Sequence, residues 1–161
     1  MKKILFPLLL LFILFTTFSC KNNKKSEDEM KKEFQATLTQ EDTTAMLQLC
    51  DDCMELLKAG KIDDALASLN EYDDSLKSVS PLSEATTNRY KRIFTMFPVC
   101  SYVRAYYSFQ LEGLNDVKYQ VCFSKTDSTM NTAYMFNPIK LDGKWYLTVK
   151  RADQGIDELH R

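Results

Sequence analysis

Cysteines are the residues of this chain best equipped for chemistry. Cys50-Asp51-Asp52-Cys53 has the C-x-x-C spacing of redox-active dithiols. That chemistry needs the attacking thiol at a helix N-terminus, where the dipole lowers its pKa. Here the pair falls about two turns into a helix-periodic segment and on its apolar stripe. Asp51 and Asp52 also oppose thiolate formation, so the expectation is two buried core thiols. A zinc site would need two further ligands, and the only histidine is His160. Cys100 and Cys122 are the remaining pair beyond Cys20. If Leu111 faces Val117 across a turn at residues 112–116, Cys122 falls opposite Tyr106. Cys100 is then about 20 Å away, beyond the roughly 6 Å that a disulfide spans.

Other reaction types find less support. There is no G-x-S-x-G elbow, and a single histidine near the terminus makes a Ser-His-Asp arrangement improbable. No phosphate-cradling G-x-x-x-x-G-K-[ST] loop exists in a chain with four glycines. The carboxylate pairs Asp63-Asp64 and Asp73-Asp74 read as helix caps or solvated groups. No catalytic residue, metal or cofactor is expected.

The first twenty residues fix the expected compartment. Lys2 and Lys3 precede an apolar run from Ile4 to Phe15, and Thr16, Thr17, Phe18 and Ser19 lead to Cys20. A basic start, a short apolar run and a small residue before the cut describe a secretory signal peptide. The run is too short for a transmembrane helix, which needs roughly 20 apolar residues. Ser19-Cys20 resembles the lipobox of bacterial lipoproteins. The resemblance implies cleavage of residues 1–19, lipid on Cys20 and attachment to the cell envelope. Two or more acyl chains give the stable anchoring that one cannot. Lys21, in place of the Asp that signals inner-membrane retention in that family, implies the outer membrane, facing the periplasm. Without Lys2 and Lys3 the balance is 19 basic against 22 acidic residues, a formal −3. Nucleic acid is not an expected partner at that charge.

The elements follow from periodicity. Residues 20–41 are charged, with Phe34 the only aromatic, and read as a lipidated cysteine and flexible tether, its twenty residues spanning up to about 65 Å. Residues 42–161 form one domain. Asp42 or Thr43 caps a helix with Met46, Leu49, Cys50, Cys53 and Leu57 on one stripe, closed by Gly60. A second helix runs from Asp63 with Ala65, Leu66, Leu69, Tyr72 and Leu76, and a third follows Pro81 as far as Phe97. Alternation then takes over through residues 99–111, 117–123, 132–141 and 144–151, with Asp142-Gly143 as a two-residue hairpin turn. The expectation is an α+β domain with three N-terminal helices on a four-stranded antiparallel sheet. This order, with the ending Leu141-Asp142-Gly143-Lys144-Trp145-Tyr146-Leu147-Thr148-Val149, resembles the nuclear transport factor 2-like (cystatin-like) fold.

That fold resemblance implies a cavity between helices and sheet. Tyr107, Tyr119, Tyr134 and Trp145 point inward on the expected register, as a pocket for a small apolar ligand or as a filled aromatic core. Tyr102, Arg104 and Tyr106 fall on the outer face, where Tyr and Arg suit an interface with a partner protein or a second copy. No Asp, Glu or His takes an inward strand position. The leading expectation is therefore a non-enzymatic, membrane-anchored binding domain. Gly60-Lys61-Ile62-Asp63-Asp64-Ala65-Leu66 resembles the inter-helix segment of tetratricopeptide repeats and gives a second reading as a helical interaction module. A small enzyme using the sheet cavity is the third, on fold analogy.

Overall fold

The computed structural model describes residues 25–111 and 113–151. The leader, Cys20 and His160 lie outside the described residues.

Helix formation starts earlier than the composition implies. Ser26 accepts from the Glu29 N–H at 3.3 Å, and the Glu29 carboxylate accepts from the Ser26 N–H at 3.0 Å. This reciprocal cap opens α1 (Glu27–Thr37). Phe34 is 8 % exposed within the core, and the Gln35 side chain donates to the Phe109 carbonyl at 2.8 Å. The tether expected over 20–41 is thus helical from Glu27 onward. One aromatic ring suffices because α1 adds to a hydrophobic surface that the rest of the domain supplies.

A second reciprocal cap, Thr39 with Asp42, opens α2 (Gln40–Lys58) three residues before the expected Asp42. Met46, Cys50, Cys53, Met54 and Leu57 are buried. Gly60 sits at φ 74°, its N–H bonded to Leu57 O and that of Lys61 to Leu56 O, the Schellman ending that favours glycine. After α3 (Ile62–Ser68) the expected long second helix stops. Asp73 accepts from the backbone N–H groups of Ser75 and Leu76, at 2.9 and 3.0 Å, and turns the chain. That turn joins the antiparallel pair β1 (Asn70–Asp73) and β2 (Ser78–Pro81). Ser83 then caps α4 (Glu84–Met96), so Pro81 ends a strand and does not open the helix.

Strands β3 (Ser101–Leu111), β4 (Leu114–Cys122) and β5 (Asn131–Phe136) form an antiparallel sheet in that order, leaving β3 at its edge. β6 (Ile139–Leu141) and β7 (Lys144–Tyr146) pair through Asp142-Gly143, with Leu141 opposite Lys144 as expected. Both turn residues have positive φ, 50° and 78°, the requirement that Asp-Gly meets. The same register continues past Pro138, where the Asn137 N–H donates to Thr148 O at 2.9 Å. Asn70 bonds to Leu147 and Val149, so the β1–β2 ribbon lies beside the chain's last described stretch. The domain is α+β; its described residues form four helices and antiparallel sheets of two, three and two strands in place of three helices and one four-stranded sheet.

The hairpin between β3 and β4 departs most from expectation. Leu111 faces Leu114 across a two-residue turn, and Tyr107, not Leu111, faces Val117. A bulge at Ala105 follows the Arg104–Tyr119 pair and precedes the Tyr106–Lys118 pair. One inserted residue exchanges the faces of everything beyond it. Tyr102 and Arg104 therefore share the helix-facing side with Tyr107 and Phe109.

Candidate functional site

Helical spacing places Asp51 and Glu55 one turn apart on α2, and alternation places Tyr102 and Arg104 on β3 with Tyr119 opposite on β4. These five side chains form a connected polar cluster between helix and sheet. The Tyr119 hydroxyl donates to Asp51 Oδ1 at 2.6 Å, and Arg104 forms an ion pair with Asp51 Oδ2. Tyr102 donates to Glu55 Oε1 at 2.6 Å. The two tyrosine rings meet edge to face at 5.6 Å, and Lys58 Nζ lies 5.7 Å from the Tyr102 ring centre.

The electrostatics of this cluster favour fixed hydrogen bonds over proton transfer. Burial, reinforced by the Asp51 carboxylate, pushes the Tyr119 hydroxyl far above its ordinary pKa. Burial and the Glu55 carboxylate do the same to Tyr102. Both phenols are donors throughout the physiological range.

Three expected surface residues therefore separate. Tyr102 and Arg104 point at α2, a correction caused by the bulge at Ala105. Tyr106 points outward, 44 % exposed, with Lys118 Nζ 5.9 Å from its ring centre. The inward aromatic residues also differ among themselves. Tyr119, Tyr134 and Trp145 are buried and packed. Tyr119 meets Phe136 at 5.9 Å, Tyr134 meets Phe94 at 5.2 Å, and the Tyr134 hydroxyl donates to the Phe97 carbonyl. Tyr107 shares their face but is 46 % exposed, because β3 is an edge strand. The rings of Tyr119, Phe136, Tyr134 and Phe94 pack at the centre of this face.

Trp145 reaches the rim. Its indole N–H donates to Asp42 Oδ1 at 3.1 Å, and Lys140 Nζ lies 2.6 Å from the same oxygen. The Lys140 contact, then the Thr39 N–H, holds the Asp42 carboxyl well below the usual range. Beside this group, Thr39, Gln48, Leu49, Gly143 and Trp145 line a shallow cleft of about 570 Å³. Its mixture of an indole edge, amide and carboxylate suits a polar or aromatic side chain of a partner.

At another pole, a cleft of about 550 Å³ lies between α1 and the β1–β2 and β3–β4 turns, and a second of about 380 Å³ adjoins it. They share Tyr72, Asp74, Gly113 and Leu114. A Cβ on Gly113 would stand 2.8 Å from the Tyr72 ring, so glycine permits this close approach of the two hairpins.

The cysteines occupy two environments. Cys50 and Cys53 are fully buried on α2. Burial pushes the Cys50 thiol far up, helped by neighbouring Cys53 and Asp51, and pushes Cys53 up to about 12. The other pair is closer than the expected register allowed. Cys122 faces Ser101, and the Cys100 N–H donates to Cys122 O at 3.0 Å. Both thiols are free, and that of Cys122 donates to Ser124 O at 3.2 Å.

Asp51 and Glu55 were missed by strand-based reasoning because they enter from the helix layer. Their i, i+4 spacing beside an apolar stripe was the available signal. Among the described residues no group of His, Cys, Asp and Glu is arranged to hold a metal, and no helix is long and apolar enough to cross a membrane. No protein-family profile, characterised protein or solved structure matches this chain.

Proposed function

We propose that this protein is a cell-envelope lipoprotein, anchored through lipid on Cys20, whose α+β domain binds a partner protein and catalyses nothing. The carrying observation for the anchor is the leader, Lys2-Lys3 and Ile4–Phe15 ending at Ser19-Cys20. The binding role draws on the chemistry of the inner face. Its carboxylates and phenols are hydrogen-bonded to one another, and its aromatic rings are packed. A small apolar ligand has less room there than the nuclear transport factor 2-like resemblance implies. A nuclear transport factor 2-like fold is part of the proposal, supported by helices preceding an antiparallel meander. The half-exposed Tyr106, the exposed Val103 and the cleft beside Trp145 are the candidate contact groups for a partner or a second copy.

The direct test is Cys20→Ala in the full chain, followed by mass spectrometry of the mature N-terminus and by fractionation. Loss of an acylated terminal peptide and release from membranes are expected. An unchanged membrane fraction with the leader removed refutes the anchor.

A further inference from the structure

We infer that the domain lies directly on the bilayer that holds its anchor, with Leu76 of the β1–β2 hairpin and Leu114 of the β3–β4 hairpin seated in the lipid interface. This rests on the anchor proposed above.

Five residues, 21–25, lie between Cys20 and the Ser26 cap of α1, and the six steps of chain from Cys20 to Ser26 span at most about 20 Å. α1 adds no slack, since Phe34 ties it into the core and Gln35 ties it to β3. The N-terminal end of α1 is therefore held within about 20 Å of the headgroups.

Independently, exposed aliphatic side chains gather beside that helix. Leu76 is 74 % exposed at the β1–β2 tip, Leu114 is 56 % exposed at the β3–β4 tip, and Met30 is 41 % exposed on α1. Their elements converge, because Met30, Lys77 and Leu114 line one cleft. Turn tips ordinarily carry polar residues, and single exposed apolar residues need no explanation. Large aliphatics on two adjacent tips, next to the helix that leads to the anchor, match a surface that enters the interface by apolar contact. Lys77 pairs with Asp74 and Lys25 with Glu33, each at 2.6 Å, and Glu27, Asp28 and Glu29 in the first turn of α1 offset Lys31 and Lys32, so seating depends on the aliphatic tips and not on anionic lipid.

Tryptophan substitutions read this placement in the full lipidated chain. Trp145 is the only native tryptophan and is buried, which gives a constant background. Leu76→Trp, Leu114→Trp and Val103→Trp are compared in phosphatidylcholine vesicles whose acyl chains carry bromine, a short-range quencher. Val103 is exposed on β3, eight residues and about 26 Å from the hairpin turn. Emission at positions 76 and 114 is expected to be quenched about twofold or more relative to position 103. Equal quenching at all three positions, or none at 76 and 114, overturns the placement. Acyl mass on the Cys20 peptide is measured in the same samples. Its absence refutes the anchor itself, and the placement falls with it for that separate reason.

Discussion

Asp51 on α2 accepts the Tyr119 hydroxyl of β4 at 2.6 Å while forming an ion pair with Arg104 of β3. One carboxylate thereby ties a helix to two neighbouring strands. Asp51→Ala removes the acceptor from a buried phenol and a partly buried guanidinium together. Its expected cost is about 2–3 kcal/mol in urea denaturation, against about 1 kcal/mol for Tyr119→Phe. The double variant should cost less than the sum, since both substitutions break the same bond. Strict additivity would mean that the bond contributes nothing.

Acid should weaken the fold through Asp42. Its carboxylate accepts from Lys140, the Thr39 N–H and the Trp145 indole, which lowers its folded pKa beneath the unfolded value of about 3.9. A group depressed in this way stabilises the fold above the unfolded pKa. That contribution is lost as pH falls through about 4 toward the folded value. Asp42→Asn should cost about 1–2 kcal/mol at neutral pH and flatten this part of the profile below pH 4. Parallel stability curves for the two proteins from pH 7 down to pH 2 would show that Asp42 does not carry the effect.

The legible part of the fold is the part written in local chemistry. Asp142-Gly143 fixed its hairpin because a positive φ at both positions is a demand few dipeptides meet, and the register Leu141–Lys144 followed. Met46, Cys50, Cys53 and Leu57 declared the buried face of α2 through their spacing. The β3–β4 hairpin was illegible for two reasons. Residues 112–116 offer several turn positions, and nothing about Ala105 marks it as the inserted residue of a bulge. The unmarked bulge put Arg104 and Tyr102 on the wrong face, and the misplaced turn separated Cys100 from Cys122. Leu69, Tyr72 and Leu76 mimic a helical stripe, yet α3 ends at Ser68 and residues 70–73 pair as a strand with residues 78–81, across a turn in which Asp73 accepts two backbone N–H groups. For α1 the missed signals were the reciprocal caps, Ser26 with Glu29 and Thr39 with Asp42, in a segment whose composition alone argues for disorder.

Thiol labelling should divide the cysteines into two pairs. Cys50 and Cys53 are buried with raised pKa values, whereas Cys100 and Cys122 are partly exposed. A brief iodoacetamide pulse on the native protein at pH 8 should modify Cys100 and Cys122 and leave the α2 pair intact, as read by peptide mass spectrometry. All four should react once the chain is unfolded. Rapid native labelling of Cys50 or Cys53 would revive a redox role for the C-x-x-C spacing.

The last prediction concerns where the domain begins. If α1 were a passive tether, a chain starting at Thr43 would be as stable as the longer one. Instead α1 buries Phe34, covers the Phe109 carbonyl through Gln35 and leads into the Thr39–Asp42 cap of α2. Removal to Thr43 strips all three at once, and Phe34→Ala strips the first alone. Phe34→Ala is expected to cost about 3 kcal/mol, with the truncation costing more because the cap is lost as well. Limited proteolysis should then show the dependence in space. The native chain is expected to be cut before Ser26, with α1 protected, whereas Phe34→Ala should open new cuts at Lys31 and Lys32. Early cutting at those lysines in the native protein, with no loss of stability in Phe34→Ala, would return α1 to the role of a tether and restore roughly 65 Å of reach to the anchor.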